Sequence, residues 1–172
     1  ERLNRNFFIN GYANIKLPLE GLSFRSNLGY NYRSNFTGTY YGRDTFIGRE
    51  QGGQVGGSAS ISNTHNTDYT WENILRYERE VGDHRFDATG LFSLQKTKDL
   101  SSGQSGQGFV TDDTSFYMMG TAERNQAISS SLYETAQLSY MLRLNYGYKG
   151  KYLITLTGRK DGASVFGKNN KY

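Results

Sequence analysis

Chemistry in this chain would have to come from a short set of side chains. The two histidines, His65 and His84, have no Cys and no second His at ligand spacing, so no metal donor set forms and both read as solvated. Asp112 and Asp113 lack the alternating acids and closing Glu of a calcium loop, and read as solvated loop. The glycine clusters Gly52–Gly57 and Gly103–Gly108 carry neither the Lys-Ser/Thr of a phosphate-binding loop nor a strand-to-helix setting, and read as flexible loop. No catalytic residue, metal or cofactor is therefore assigned. What remains are polar side chains spaced two apart: Arg25, Asn27, Asn31 and Arg33, then Glu72, Arg76 and Glu78, then Arg85 and Asp87, with Arg143 and Arg159 further on. Such groups bind through hydrogen bonds and ion pairs and do not react.

A spacing of two requires strands to carry it. In 5–17 the odd positions Phe7, Ile9, Ala13, Ile15 and Leu17 are apolar, and after Pro18-Leu19-Glu20-Gly21 the even positions Leu22, Phe24, Leu28, Tyr30 and Tyr32 of 22–33 take over. A second hairpin pairs 69–80 with 84–95 across Val81-Gly82-Asp83. In the third, 132–148 sets Ala136, Leu138, Tyr140, Leu142, Leu144, Tyr146 and Tyr148 on one face, turns at Lys149-Gly150 and returns through 151–160. Between hairpins, 34–68 and 96–131 are Gly/Ser-rich and polar and read as long loops. A short helix is expected near Phe116–Met119 or Ala122–Ile128.

Composition narrows the class. The 172 residues are 35% hydrophobic, with 21 Gly, 14 Tyr, one Pro and no Cys, too aromatic for disorder and too polar for a thick two-sided core. A mean hydropathy of -0.70 and no long apolar run exclude helical membrane spans but leave a barrel open, because barrel strands alternate faces. The 20 basic and 16 acidic residues are interspersed, for a net +4, which argues against nucleic acid as partner. The chain starts without Met and without a signal peptide, and is read as a processed product or a piece of something longer.

Tight turns on one side and long loops on the other, with strands at or above the ~9–11 residues that cross hydrocarbon, predict an all-β fold: an antiparallel transmembrane β-barrel segment of about six strands. Aromatics gather in two candidate girdles, Tyr30, Tyr32, Tyr69 and Trp71 near the long loops and Tyr77, Phe86, Tyr146, Tyr148 and Tyr152 near the short turns. A soluble sheet with one wet face also alternates, yet leaves these girdles unexplained. Six strands are fewer than the eight of the smallest barrels, and an open edge has no partners in lipid, so the chain is expected to belong to a larger barrel. The polar faces would then line the lumen. Arg25, Asn27, Arg33, Glu72, Arg76, Arg143 and Arg159 are candidates for cross-strand pairs, plug contacts or cargo, and the loop aromatics Phe36, Tyr40, Tyr41, Phe46, Phe109, Phe116 and Tyr117 are candidates for cargo or a partner cap.

The segment from Ser139 to Gly167 is more specific. Its Arg143, Asn145, Tyr146 and Tyr148, then Lys151 and Tyr152, then Arg159, Asp161, Gly162, Ser164, Phe166 and Gly167 resemble a barrel segment of the SusC/RagA family of TonB-dependent transporters, with Ala163 where the pattern usually has Ser. The first 130 residues resemble it chiefly in strand rhythm. The resemblance implies a barrel of about 22 strands, with a plug and a TonB-contacting segment outside this chain. It also implies import of oligosaccharides or oligopeptides, a SusD-like surface lipoprotein as lid, the TonB complex as energy source, and the outer membrane of a Bacteroidota species as location. Asp161-Gly162 is expected to turn the chain into the rim that meets the lipoprotein. A siderophore receptor, a porin and a soluble β-sheet adhesin are the competing expectations.

Overall fold

The computed structural model describes residues 1–165. Six strands form one antiparallel sheet in sequence order: β1 (Arg2–Lys16), β2 (Leu22–Tyr41), β3 (Ser58–Val81), β4 (His84–Gln107), β5 (Arg124–Tyr148) and β6 (Tyr152–Ala163). A helix α1 (Phe46–Gly52) and a 3-10 segment (Ser115–Thr121) fill the two wider connections. No helix among the described residues is long and apolar enough to cross a membrane, which says nothing about strands.

The short connections follow from local chemistry. At the first, the Leu17 N–H donates to the Leu22 carbonyl at 3.0 Å, and the Gly21 carbonyl accepts from the Glu78 N–H at 2.9 Å. At the third, Lys149 and Gly150 both take positive φ, 52° and 65°, as a two-residue hairpin turn with primed geometry requires. That turn sets β5 and β6 in a register pairing Arg143 with Thr157 and Asn145 with Thr155 on one face, Leu142 with Gly158 and Tyr146 with Ile154 on the other. A slip of one residue would exchange the faces.

The expected long loops are a correction. β2 continues to Tyr41, β3 begins at Ser58, β4 runs to Gln107 and β5 begins at Arg124, so only 42–57 and 108–123 are left as connections. Near Phe116–Met119 the structure has the 3-10 segment, whereas Ala122–Ile128 leads into β5. Asp161 and Gly162 stay inside β6, opposite Ser139 and Leu138, and make no turn. Pairing persists one step further, where the Ser164 N–H donates to the Ala136 carbonyl at 2.8 Å.

Contacts divide the chain into two units. The turn unit holds Phe8–Asn31, Thr67–Thr97 and the chain from Glu134; the loop unit holds Glu1–Phe7, Tyr32–Asn66 and Lys98–Tyr133. Among the described residues every buried apolar one belongs to the loop unit, where Ala59, Phe109, Phe116 and Ala122 pack with Phe36, Tyr40, Ile61 and Met119. The turn unit leaves Leu142, Leu144, Ile154 and Leu156 on its surface. An apolar face of that extent in water would drive association.

Candidate functional site

The turn unit sorts its side chains by face. On one, Arg76 donates to Asp87 from Nε and Nη2 at 3.1 and 2.9 Å and also pairs with Glu78. Asp87 accepts from Asn145 Nδ2 at 2.8 Å, and Asn145 in turn accepts from Thr155 Oγ1 at 2.9 Å. A ladder of hydrogen bonds, charge-assisted where they end on Asp87, thus crosses β3 to β6, fixing side chains that flank an open recess of about 340 Å³. Elsewhere on this face Arg25 donates to Asn27 at 2.8 Å and lies 4.6 Å from the Tyr12 ring centroid, while Asn27 reaches Glu72 at 3.4 Å. Asn31 and Thr97 both donate to Asp68, and Arg85 pairs with Glu80 at 3.5 Å.

The alternate positions carry rings. Trp71 meets Phe92 edge-on at 5.8 Å and donates to Ser26 Oγ, and Phe92 contacts Tyr140 at 5.4 Å. Nearer the short turns, Phe86 packs on Tyr146 at 5.2 Å and Tyr148 stacks with Tyr152 at 6.5 Å. His84 is exposed, as expected, with its Nδ1 2.8 Å from the Tyr146 hydroxyl and its ring 5.0 Å from that of Tyr148. His65 likewise stacks on Tyr32 at 6.2 Å, within the loop unit. Strand alternation puts Tyr30, Tyr69 and Tyr77 on the ring-bearing side as well. Among the described residues no three potential metal ligands cluster.

Of the sequence-predicted polar residues, the structure brings Arg76 together with Glu78 and Asp87, and Arg25 together with Asn27 and Glu72. Arg159 donates from Nε to both Asp161 oxygens at 2.9 Å, Arg143 takes the same side of β5 as Asn145, and Arg33 belongs to the loop unit. Ser164 accepts from the Ala136 N–H through Oγ at 2.9 Å, so Arg159 and Asp161 finish β6 and Ser164 extends its pairing. Phe166 and Gly167 lie outside the described residues.

The loop unit corrects two further readings and supplies Asp112, exposed as expected, with partners. Phe109 is 1% exposed and Phe116 6%, so with Phe36 and Tyr40 they form a core and face no partner, which leaves Tyr41, Phe46 and Tyr117 outside. The Gly52–Gly57 segment is packed, because the Gly57 N–H donates to the Gly48 carbonyl and the Gly56 and Gly57 carbonyls accept from Phe109 and Gly108. Asp112 is a structural acceptor, bound by the Tyr40 hydroxyl at 2.7 Å and the Arg43 N–H at 3.0 Å. Burial first, and the Asp112 hydrogen bond second, push the Tyr40 hydroxyl pKa up to about 12. The same bond, with the Arg43 N–H, holds the Asp112 carboxyl below the usual carboxylate range. Helix α1 was missed, although its Thr45 cap, whose Oγ1 accepts from the Gly48 N–H at 3.0 Å, is the kind of residue that signals a helix start.

This two-faced sheet has counterparts among known proteins. No family model matches the chain. TonB-dependent receptor P3 of Formosa agariphila is 33% identical over 100% of the chain, and receptor P26 of the same organism is 32% identical over 98%. The chain spans 17% of the length of each. The RagAB peptide transporter superimposes on 99% of the chain with a TM-score of 0.84 at 20% identity, the chain covering 18% of that structure, and the 'closed-closed' state of the RagAB peptide importer gives 0.85. The chain is a homologue of the TonB-dependent receptor family, and its likeness to RagAB is one of fold. Its sheet corresponds to a barrel region of that family and is not closed within this chain. The relatives carry receptor and transporter names, not enzyme names, in keeping with a face that hydrogen-bonds and does not react.

Proposed function

We propose that the chain is a stretch of barrel wall in a TonB-dependent importer of the Bacteroidota outer membrane. The ring-bearing face meets lipid, and the ladder-bearing face lines the lumen. The observation that carries this reading is the segregation of the Arg76–Asp87–Asn145–Thr155 ladder from the Trp71–Phe92–Tyr140 ring row on alternate residues of the same strands. Unpaired backbone groups are not tolerated in lipid, whereas a paired sheet with one apolar face is. Support for energy coupling comes from the relatives' printed names, and the TonB contact would lie outside this chain. The cargo is an oligosaccharide or an oligopeptide, and a SusD-like lipoprotein covers the mouth. RagAB is described as a peptide importer, which supports the peptide alternative by fold alone.

Deleting the gene in its host should abolish growth on the cargo without affecting growth on monomers, and affinity purification of the full-length protein from outer membranes should recover a surface lipoprotein. Unchanged growth on every oligosaccharide and oligopeptide tried would reject import. Recovery of the barrel without the lipoprotein would reject the lid.

A further inference from the structure

The ring-bearing side of the turn unit holds an open groove of about 610 Å³. Its floor is bare backbone at Gly90 on β4 and Gly158 on β6, and Phe24, Leu75, Phe92, Tyr140 and Leu142 wall it. Both glycines sit inside strands, neither takes positive φ, and a Cβ added to either would meet nothing within 4 Å. No turn and no close approach within this chain therefore calls for glycine. A glycine inside a strand marks a place where a ligand or another backbone comes close. Apart from the Asn73 carboxamide, the groove's walls are apolar or aromatic up to one end, where Lys160 stands across from Tyr140 in the β5–β6 register. Charge on this side is sorted along the strands. Alternation puts Lys160 on β6 and Lys96 on β4 toward the wider connections, with Arg79 and His84 near the short turns. The acid of this side on β5, Glu134, lies beyond Ala136. Among the described residues the band between the two girdles thus carries cations at one end and no carboxylate.

We infer that the groove seats an acyl chain of a phosphorylated glycolipid of the outer leaflet, with Lys160 meeting its phosphate. The inference rests on the outer-membrane reading above and adds a lipid site to it. In barrels of this kind the short turns are periplasmic and the longer connections extracellular, so Lys160 and Lys96 stand toward the outer leaflet. That leaflet of an outer membrane is built of acylated, phosphorylated glycolipid. An unbranched chain fits a trough with a backbone floor and asks for no polar partner there, while Phe92 and Tyr140 give it ring surface to pack on. Lysine lays its methylene stem along an apolar wall and carries its ammonium to headgroup level, where a phosphate supplies the opposite charge. Asn73 offers both a donor and an acceptor to the ester, amide and hydroxyl groups at the head of such a chain. A second copy of the same face fits less well, because a two-fold contact matches a patch with itself and would set Lys96 and Lys160 against a band that holds cations and no acid.

The test uses the full-length transporter, stripped of bound lipid in mild detergent, and native mass spectrometry against lipid A with its phosphates, the same lipid dephosphorylated, and phosphatidylglycerol. Phosphorylated lipid A should bind at least tenfold more tightly than either of the others. Gly90→Leu and Gly158→Leu fill the groove and should each weaken that binding at least tenfold. Lys160→Gln should erase the preference for the phosphorylated form, and Lys160→Arg should keep it. Ala13→Leu, on the same side of β1 and away from the groove, should change nothing, and heat-modifiable mobility checks assembly of every variant. Equal binding of phosphatidylglycerol or of the dephosphorylated lipid would overturn the inference, as would lipid A binding indifferent to the glycine and lysine substitutions. A wild-type dimer that Gly158→Leu converts to monomer would overturn it in favour of a second copy. None of these outcomes reads transport, so failure of the importer reading would appear separately, as unchanged growth of the deletion strain on every oligomer.

Discussion

Gly21 and Gly82 both close tight turns at positive φ, 81° and 58°, and differ in what surrounds them. A Cβ on Gly21 would stand 1.8 Å from the Glu78 carbonyl oxygen, whereas one on Gly82 meets nothing within 4 Å. Gly82→Asn should therefore be nearly neutral, because Asn tolerates left-handed backbone. Gly21→Ala adds a backbone collision to a conformational cost of about 1–3 kcal/mol. Urea titration of the intact barrel separates the two, and equal loss in both would show that the Glu78 contact is not held. The sequence made both glycines visible as turn formers, but the partner strand behind Gly21 is a long-range contact that local pattern does not encode. Arg76 and Asp87 were legible as members of one face because period two is strict there, whereas the diagonal step that pairs them depends on hairpin register. Asp112 and His84 are exposed, as expected, but their partners were hidden for a related reason. Each draws its partner from far along the chain, Tyr40 for one and Tyr146 for the other, and nothing adjacent announces it.

The strand extensions past Arg33 and Gln95 escaped detection because water reaches one face while only a small core covers the other. With Thr37, Thr39, Ser60 and Ser62 alternating against Phe36, Tyr40, Ala59 and Ile61, the contrast that marks a strand weakens, and Gly/Ser composition reads as loop. The same small core makes the loop unit sensitive to pH through two groups. Tyr40 has a folded-state pKa raised from 10.0 to about 12, so its contribution is complete below pH 10 and is lost as pH rises toward 12. Asp112 is shifted down, so its contribution is complete above the ordinary carboxylate range and is lost as pH falls below it. Pulse proteolysis should find 42–57 and 108–123 protected between these limits and cleaved beyond either. Tyr40→Phe keeps the ring edge-on to Phe109 but removes the hydroxyl, which should cost about 1 kcal/mol and abolish the step between pH 10 and 12. An alkaline step that persists in Tyr40→Phe would assign it to another tyrosine. In the spanning part of β5, Leu142→Arg or Leu144→Arg should cost about 2–4 kcal/mol at mid-depth, while Gln137→Arg and Ser139→Arg on the other face should be far milder. Equal losses in a folding titration would reject the assignment of faces.

At the scale of the whole sheet, strand order leaves β1 and β6 with one neighbour each, and among the described residues all buried apolar ones sit in the loop unit. Both facts argue against independent stability. The outer edges of β1 and β6 present N–H and C=O groups that would have no partner in lipid, each costing several kcal/mol, and in water such edges invite pairing with other chains. The exposed Leu142, Ile154 and Leu156 add an apolar surface that detergent can cover, but detergent cannot supply the missing strand hydrogen bonds. A polypeptide of these 172 residues alone is therefore expected to stay unfolded or to aggregate in detergent. The same residues inside the full-length protein should acquire the heat-modifiable mobility of a closed barrel. Size-exclusion chromatography with light scattering, beside amide exchange across β1 and β6, measures both. Slow exchange at the two edges only in the full-length protein would place their partners outside this chain. A monodisperse, heat-stable monomer of the isolated chain with protected edge amides would mean that the edges are satisfied within it, and would overturn the assignment of this sheet to one arc of a larger barrel.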